Sequence, residues 1–298
     1  MCEEWPETDK IESRERFAEW LSRAVAAGIG TSVIYRGQAK SQWHLQPSLD
    51  RILPNNSAHS DRLPEEEKII QQFCCQAFRF LGSLERSYIG NQGLNTMRMM
   101  VMQHFLAPTR LLDWTYSPAV AAYFACNYHS DLDGTIWWID AKAVENYCTL
   151  NWPKWGIERH PPERGGQVVL DAHIFRPGVP EFVTLLDHKF RIPRAQAQRA
   201  MFTLGSRLGV DHDTVLAKEL SEGQYGRITI KADVKDYALN YLEMMGIDAI
   251  SLQYPGADRV GSRMAWELEQ KAGRSCRATV SFITRIASRI QRGPSSQA

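Results

Sequence analysis

The chain has 298 residues, 44% of them hydrophobic and 23% charged, with a formal net charge of +1. That balance excludes a disordered polyelectrolyte and gives no global charge to attract nucleic acid or an anionic membrane. No apolar run approaches the ~20 residues needed to cross a bilayer, and no membrane partner is expected. The six scattered cysteines contain no C-x-x-C pair and read as free thiols; with no signal-peptide pattern, a cytoplasmic location is expected. In chain order, residues 1–28 are expected to form an N-terminal helical piece. Ile11, Phe17, Trp20, Leu21 and Ala24 recur at helical spacing over Lys10–Ala27, and Gly28 ends the run. The β-branched and aromatic run Thr31–Tyr35 predicts a strand that leads into Arg36, Gly37 and Gln38. Pro64 is expected to open a helix reaching Ser83, with Glu65, Glu66 and Glu67 in its first turn. Leu94–Phe105 predicts a methionine-rich helix, in which methionine serves as core filler.

The stretch Gln103–Cys126 organises the reading. It sets Gln103, His104, Thr109, Arg110, Asp113, Thr115 and Ser117 among residues that should form core. A buried polar group left unpaired costs roughly 1–3 kcal/mol, so each of these needs a partner or a purpose. Arg110 and Asp113, three apart, are expected to pair across one helical turn. Ser117 and Pro118 predict an N-cap followed by proline at the first helical position. The polar cluster would then sit in a loop leading to a helix N-terminus, where free N–H groups suit an anion. A buried Arg–Asp pair stapling two helices fits the same spacing.

Beyond this stretch, Gly134–Ile139 predicts a strand ended by Asp140, and residues 152–166 a long loop. Short strands are expected at Gln167–Leu170 and His173–Phe175; Phe182–Leu186 follows, and then Phe190–Leu204, which is expected to end in a strand. Arg227–Lys231 reads as a strand, Asp233–Met245 as a helix closed by Gly246, and Ile247–Leu252 as a final strand. Strands interleaved with helices give a mixed class, here an α+β domain over residues 29–260. Residues 261–298 are expected to form a basic, helical C-terminal segment and tail, with Arg285, Arg289 and Arg292 as candidate phosphate contacts. No dinucleotide fingerprint, P-loop, zinc-protease or nucleophile-elbow motif is present. Asp211, His212 and Asp213 are adjacent and read as a solvated turn, so no metal site is expected.

Three groups of residues together resemble the FRG domain family, named for its Phe-Arg-Gly signature. The first is Tyr35-Arg36-Gly37-Gln38 followed by Trp43, Leu45, Pro47, Ser48, Leu49 and Arg51. The second runs through Gln103-His104, Pro108 to Thr115, Ser117-Pro118 and Ala122 to Ala125. The third is Gln198 to Thr203, with Gly246-Ile247 and Tyr254-Pro255. Tyr35 stands where phenylalanine is usual and Ala200 where glycine is usual.

The resemblance implies an ADP-ribosyltransferase-like split β-sheet core with surrounding helices, and NAD as substrate. In that pattern Arg36, with Gly37 and Gln38, grips the NAD phosphates. Thr115 and Ser117 orient the nicotinamide ribose, and Gln198 stands on the late strand where a glutamate is wanted. Cleaving the nicotinamide–ribose bond builds an oxocarbenium-like sugar that a nearby carboxylate stabilises. Asp113 is the candidate for that charge, with Asp258 behind it. His104 would contact the nicotinamide side, and Arg110 would be oriented by Asp113. A protein side chain, a nucleic-acid base or water would accept the ADP-ribose. Family members resemble components of bacterial and phage conflict systems, which implies a toxin or defence role. A non-catalytic nucleotide- or protein-binding module, or a protein acting on nucleic acid through its basic tail, would use the same residues.

Overall fold

The computed structural model describes residues 5–253, apart from 29, 55–56, 91–93, 158–165 and 187–195. Its frame is a seven-stranded sheet ordered β1-β7-β4-β2-β3-β6-β5. The strands are β1 (Glu7–Ile11), β2 (Val33–Gln38), β3 (Leu111–Thr115), β4 (Gly134–Asp140), β5 (Val183–Leu186), β6 (Ala200–Gly205) and β7 (Tyr225–Ile230). β1 runs parallel to β7, and every other neighbouring pair is antiparallel. The protein is α+β, with helices against both faces of a mixed sheet.

The alternation of side chains along each strand sorts the core. One face carries Ile136, Ile228 and Ile230 under α1 (Arg14–Ala27), α5 (Pro118–Cys126) and the helix Lys235–Met244. Further along that face, Leu111, Phe202 and Leu204 pack beneath α2 (His59–Ala77), α4 (Asn95–His104) and the helix Gly166–Ile174. The opposite face is a single cluster around Ile34, Leu112, Trp114, Trp137 and Ile139.

The boundary between the two clusters on the first face coincides with a break in the sheet. β2 and β4 pair at six positions, but β2 and β3 share only Tyr35 with Thr115. Two glycines let α5 lie close beside this break. A Cβ on Gly37 would stand 1.9 Å from the Ala121 carbonyl oxygen, and one on Gly134 would stand 2.3 Å from that of Ala125. The helix backbone therefore rests directly on β2 and β4.

Several expected elements take another form. Residues 1–28 are not a purely helical piece: Glu7–Ile11 is an edge strand, and α1 begins at Arg14. Ser13 accepts from the Arg16 N–H and fixes that start, while Ile11, fully buried, continues the sheet beside Ile230. Helix α2 starts at His59 rather than Pro64, because the Asp61 carboxylate accepts from the Ala58 N–H at 3.2 Å. Pro64 lies inside it, and the carbonyl it would have bonded belongs to Ser60, which is exposed. The helix ends at Ala77, and Ser83 opens a separate one, α3 (Ser83–Ile89).

Gly166–Ile174 is helical where two short strands were expected. Leu170 and Ile174, four apart, enter the core together, and Asp171 accepts from the N–H groups of Asn95 and Thr96 at the start of α4. Ala249–Gln253 is likewise helix, not strand. Asp248 accepts from the Ser251 N–H while the Ser251 hydroxyl oxygen accepts from the Asp248 N–H, a reciprocal cap that outweighs the β-branched neighbours.

Candidate functional site

A cavity of about 240 Å³ opens over the β2–β3 break, between α5 and the C-terminal end of α4. Its floor includes Tyr35, Arg36 and Gly37 from β2 and Asp113 and Thr115 from β3. Val120 and Phe124 of α5 form one wall. Gln103, His104 and Leu106 form the other, Arg51 and Ser48 lie along the loop after β2, and Gln198 precedes β6.

Arg36 sits within β2, not after it, and reaches across the break. Its Nη1 donates to the Asp113 carbonyl oxygen at 2.6 Å, bridging the strands just beyond their single backbone pair. Its Nε is buried without a partner. Burial pushes the guanidinium down to about 10; Asp113 opposes that shift, and the Arg51 charge adds to it. Arg51 is also lowered by burial, donates Nη1 to the Gln46 carbonyl at 3.2 Å, and leaves its own Nε unpartnered. Among the described residues neither arginine forms an ion pair. Two guanidiniums therefore face one cavity whose lining contains one carboxylate, Asp113.

Asp113 is held by a hydrogen-bonded chain. Its Oδ2 accepts from Gln103 Nε2 at 2.6 Å, and Gln103 Oε1 accepts from the Thr109 hydroxyl at 2.5 Å. Thr109 is tied in turn through its backbone to Ser48 and Leu49. This chain fixes the amide orientation of Gln103 and aims its NH₂ at the carboxylate. His104, at the end of α4, sets its ring edge-on to Phe105 at 4.8 Å. The turn that follows holds Leu106 at φ 62°, a left-handed conformation that bulky side chains rarely adopt. Arg199, next to Gln198 on the opposite rim, has φ 48°.

Other expected roles are corrected. Arg110 does not pair with Asp113 and does not line the cavity. It is 1% exposed, its Nε donates to Glu66 Oε1 at 2.6 Å, its Nη2 pairs with Glu66 Oε2, and its Nη1 donates to the Ser206 carbonyl at 2.8 Å. Asp113 stands on a strand, not a helix, so the spacing of three carries Arg110 away from it.

Gln38 is buried, accepts from Trp137 Nε1 at 2.6 Å and donates to the His44 carbonyl at 3.1 Å. Ser117 lies off the cavity and caps α5 by accepting from the Val120 N–H. Thr115 lines the cavity, but its hydroxyl donates to the Gln198 carbonyl at 2.6 Å and accepts from the Ser117 N–H at 3.0 Å. These hydroxyls organise the backbone at the end of β3 and are already engaged. The Gln198 side chain donates to the Leu252 carbonyl at 3.1 Å. Asp258 and the basic tail lie outside the described residues.

The Asp211-His212-Asp213 run is not a solvated turn. His212 is 1% exposed and its Nδ1 meets the Thr203 hydroxyl at 2.9 Å, which in turn accepts from Trp114 Nε1. His44 takes its place beside the two aspartates, with ligand atoms of the three within 4.8 Å of one another. Asp213 there accepts from the Leu45 N–H and pairs with His44 Nδ1 at 2.8 Å, clasping the loop after β2 to the helix His212–Glu219.

Fold and site together define an α+β protein with an arginine-bearing cavity at a break in its sheet. Residues 31–134 match the FRG domain family model. The match takes in β2, β3, α4 and α5, hence both arginines, the Asp113 chain and both glycines beneath α5. No curated protein and no solved structure matches the chain. Arg51 belongs to the family-like run after β2, but its residue type and spacing assign it no role on their own. Its signal was an arginine two residues after a buried leucine, Leu49, in a segment otherwise turned inward.

Proposed function

We propose that the cavity binds NAD and that the protein cleaves the nicotinamide–ribose bond, transferring ADP-ribose to a nucleophile. The observation that carries this reading is the convergence of Arg36, Asp113 and His104 on one cavity. In the reaction the C1′–N1 bond breaks and its electron pair leaves with nicotinamide. The acceptor's lone pair then bonds C1′, and the acceptor releases its proton. The Arg36 guanidinium would hold a phosphate, where a charge-assisted fork is strongest. The Asp113 carboxylate would lie against the sugar as positive charge develops, kept in place by Gln103. His104, on the wall opposite α5, would meet the nicotinamide.

A non-catalytic nucleotide-binding module is the second reading, and specific observations favour it. β6, Ala200–Gly205, carries no carboxylate, and the Thr115 and Ser117 hydroxyls already have backbone partners. The two readings separate on incubation of the full chain with NAD. The enzyme releases nicotinamide at a rate that Asp113→Asn reduces by a hundredfold or more, on the order expected for loss of one electrostatic stabiliser. The binding module instead shows NAD-dependent thermal stabilisation without nicotinamide release.

A further inference from the structure

We infer that Arg51 is the second arm of an anion grip, and that the cavity's ligand places a diphosphate bridge, with its two negative charges, between Arg36 and Arg51. The inference deepens the nucleotide reading and rests on it. Both guanidiniums line the cavity, both keep a buried Nε without a protein partner, and each depends on burial that disfavours its charge. Arg51 also disfavours the charge on Arg36, so the two lie close enough to repel. Asp113 is the one carboxylate of the lining, and it already accepts from Gln103. Like charges held together with one partly engaged carboxylate in the lining leave a net positive site, and a diphosphate bridge sets one negative charge against each guanidinium.

The Arg51 arm is built, not incidental. Its neighbour Asp50 turns the other way, where Oδ1 accepts from Arg62 Nη1 at 2.9 Å and from the Gly209 N–H at 2.8 Å. Leu49 is fully buried and its N–H donates to the Thr109 carbonyl at 3.0 Å. The backbone leading into Arg51 is thereby fixed at Leu49 and Asp50, and Thr109 links the same loop to the chain that holds Asp113. The cavity's volume of about 240 Å³ lies below the ≈ 300–1,000 Å³ usual for a drug-sized ligand. It therefore encloses part of a dinucleotide, with the remainder outside.

The test is calorimetric titration of the full chain and of Arg51→Gln and Arg51→Lys with inorganic pyrophosphate, orthophosphate, NAD and nicotinamide riboside. Wild type should bind pyrophosphate and NAD more tightly than orthophosphate or the riboside. Arg51→Gln should weaken pyrophosphate and NAD by about tenfold or more, as expected for loss of a charge-assisted fork, and leave the riboside unchanged. Arg51→Lys, which keeps the charge without the fork, should fall between. Without ligand, Arg51→Gln should melt at or above wild type, because repulsion with Arg36 is gone. Unchanged pyrophosphate binding in Arg51→Gln overturns the grip, as does equal loss of the riboside with a lowered melting point. Orthophosphate binding as tightly as pyrophosphate overturns the diphosphate assignment. Nicotinamide release followed in the same samples separates the two levels. Release unaffected by Arg51→Gln removes the grip and leaves the enzyme, whereas weakened pyrophosphate binding with no release in wild type leaves the grip and removes the enzyme.

Discussion

Replacing Glu66 with glutamine tests whether Arg110 is architectural. Arg110 and Glu66 are 1% and 2% exposed, and the carboxylate meets the guanidinium through both of its oxygens. The substitution keeps the shape and one acceptor but turns an NH₂ toward Arg110 Nη2 and leaves a full charge buried. The Ser206 carbonyl at 2.8 Å and the Phe175 ring at 5.1 Å remain, and neither neutralises it. Removing one partner of a buried pair costs about 3–5 kcal/mol. For a domain of 150–250 residues each kcal/mol lowers the melting temperature by about 2–4 °C, so a fall of about 10 °C is expected. Urea unfolding supplies the free energy, and pyrophosphate titration of the folded fraction supplies the site's state. Glu66→Gln should unfold far more easily while binding pyrophosphate like wild type once folded. A loss below 1 kcal/mol, or abolished binding in a variant of normal stability, would refute the assignment of Arg110 to the frame.

Gly37→Ala should prevent normal docking of α5, since its Cβ would stand 1.9 Å from the Ala121 carbonyl oxygen. A loss of about 1–3 kcal/mol or more in urea unfolding is expected, and an unchanged midpoint would count against the close contact. Buried His212 is pushed down to about 3, first by burial and then by the Arg36 and Arg110 charges. Its folded value lies below its unfolded value of about 6.5, so the unfolded chain takes up the proton first as pH falls. From pH 6.5 down toward 3, His212 removes roughly 1.4 kcal/mol of stability per pH unit. His212→Asn, which keeps an acceptor for the Thr203 hydroxyl, should therefore gain on wild type as pH falls through that window, and a pH-independent difference between the two would exclude it. Gln103→Glu sets a second carboxylate against Asp113 Oδ2 in place of an NH₂. Nicotinamide release should drop at neutral pH and partly recover in acid, and a flat pH profile would show that Asp113 does not depend on Gln103.

What the sequence disclosed of this site, and what it hid, follows from the range of the interactions involved. Caps set within a few residues were legible: Ser117 and Pro118 opened a helix where expected. Arg36 and Thr115, paired only through the family resemblance, do line one cavity, but Thr115 stands at the end of a strand where a loop was expected, and Ser117 lies off the cavity. The partners of the buried polar residues were not legible. Glu66 lies 44 positions before Arg110 and read as one of three first-turn glutamates; its burial depends on α2 beginning at His59 and on how the helix turns over the sheet. Asp171 and Asp248 hid in apolar, β-branched runs, where a single carboxylate cap on an N–H outweighed the strand propensity of its neighbours.

The same logic explains why the cavity lies where it does. An unbroken β2–β3 ladder would satisfy the backbone and close the floor. With one backbone pair, the floor is completed by the Arg36 guanidinium on the Asp113 carbonyl, which ties a mobile-length cation to the strand that carries the carboxylate. Charge and acid are thus positioned by one hydrogen bond. Arg36→Lys tests that coupling, because an ammonium, with less total reach than a guanidinium, keeps the charge without the planar fork. If Arg36 serves only as charge, the lysine variant should retain most NAD affinity and nicotinamide release. If it also sets the β2–β3 spacing, release should fall by more than affinity, since a misplacement of about 1 Å at the reacting centre can cost 10²-fold. Equal losses in affinity and release would reduce Arg36 to a phosphate contact and leave the placement of Asp113 to Gln103 alone.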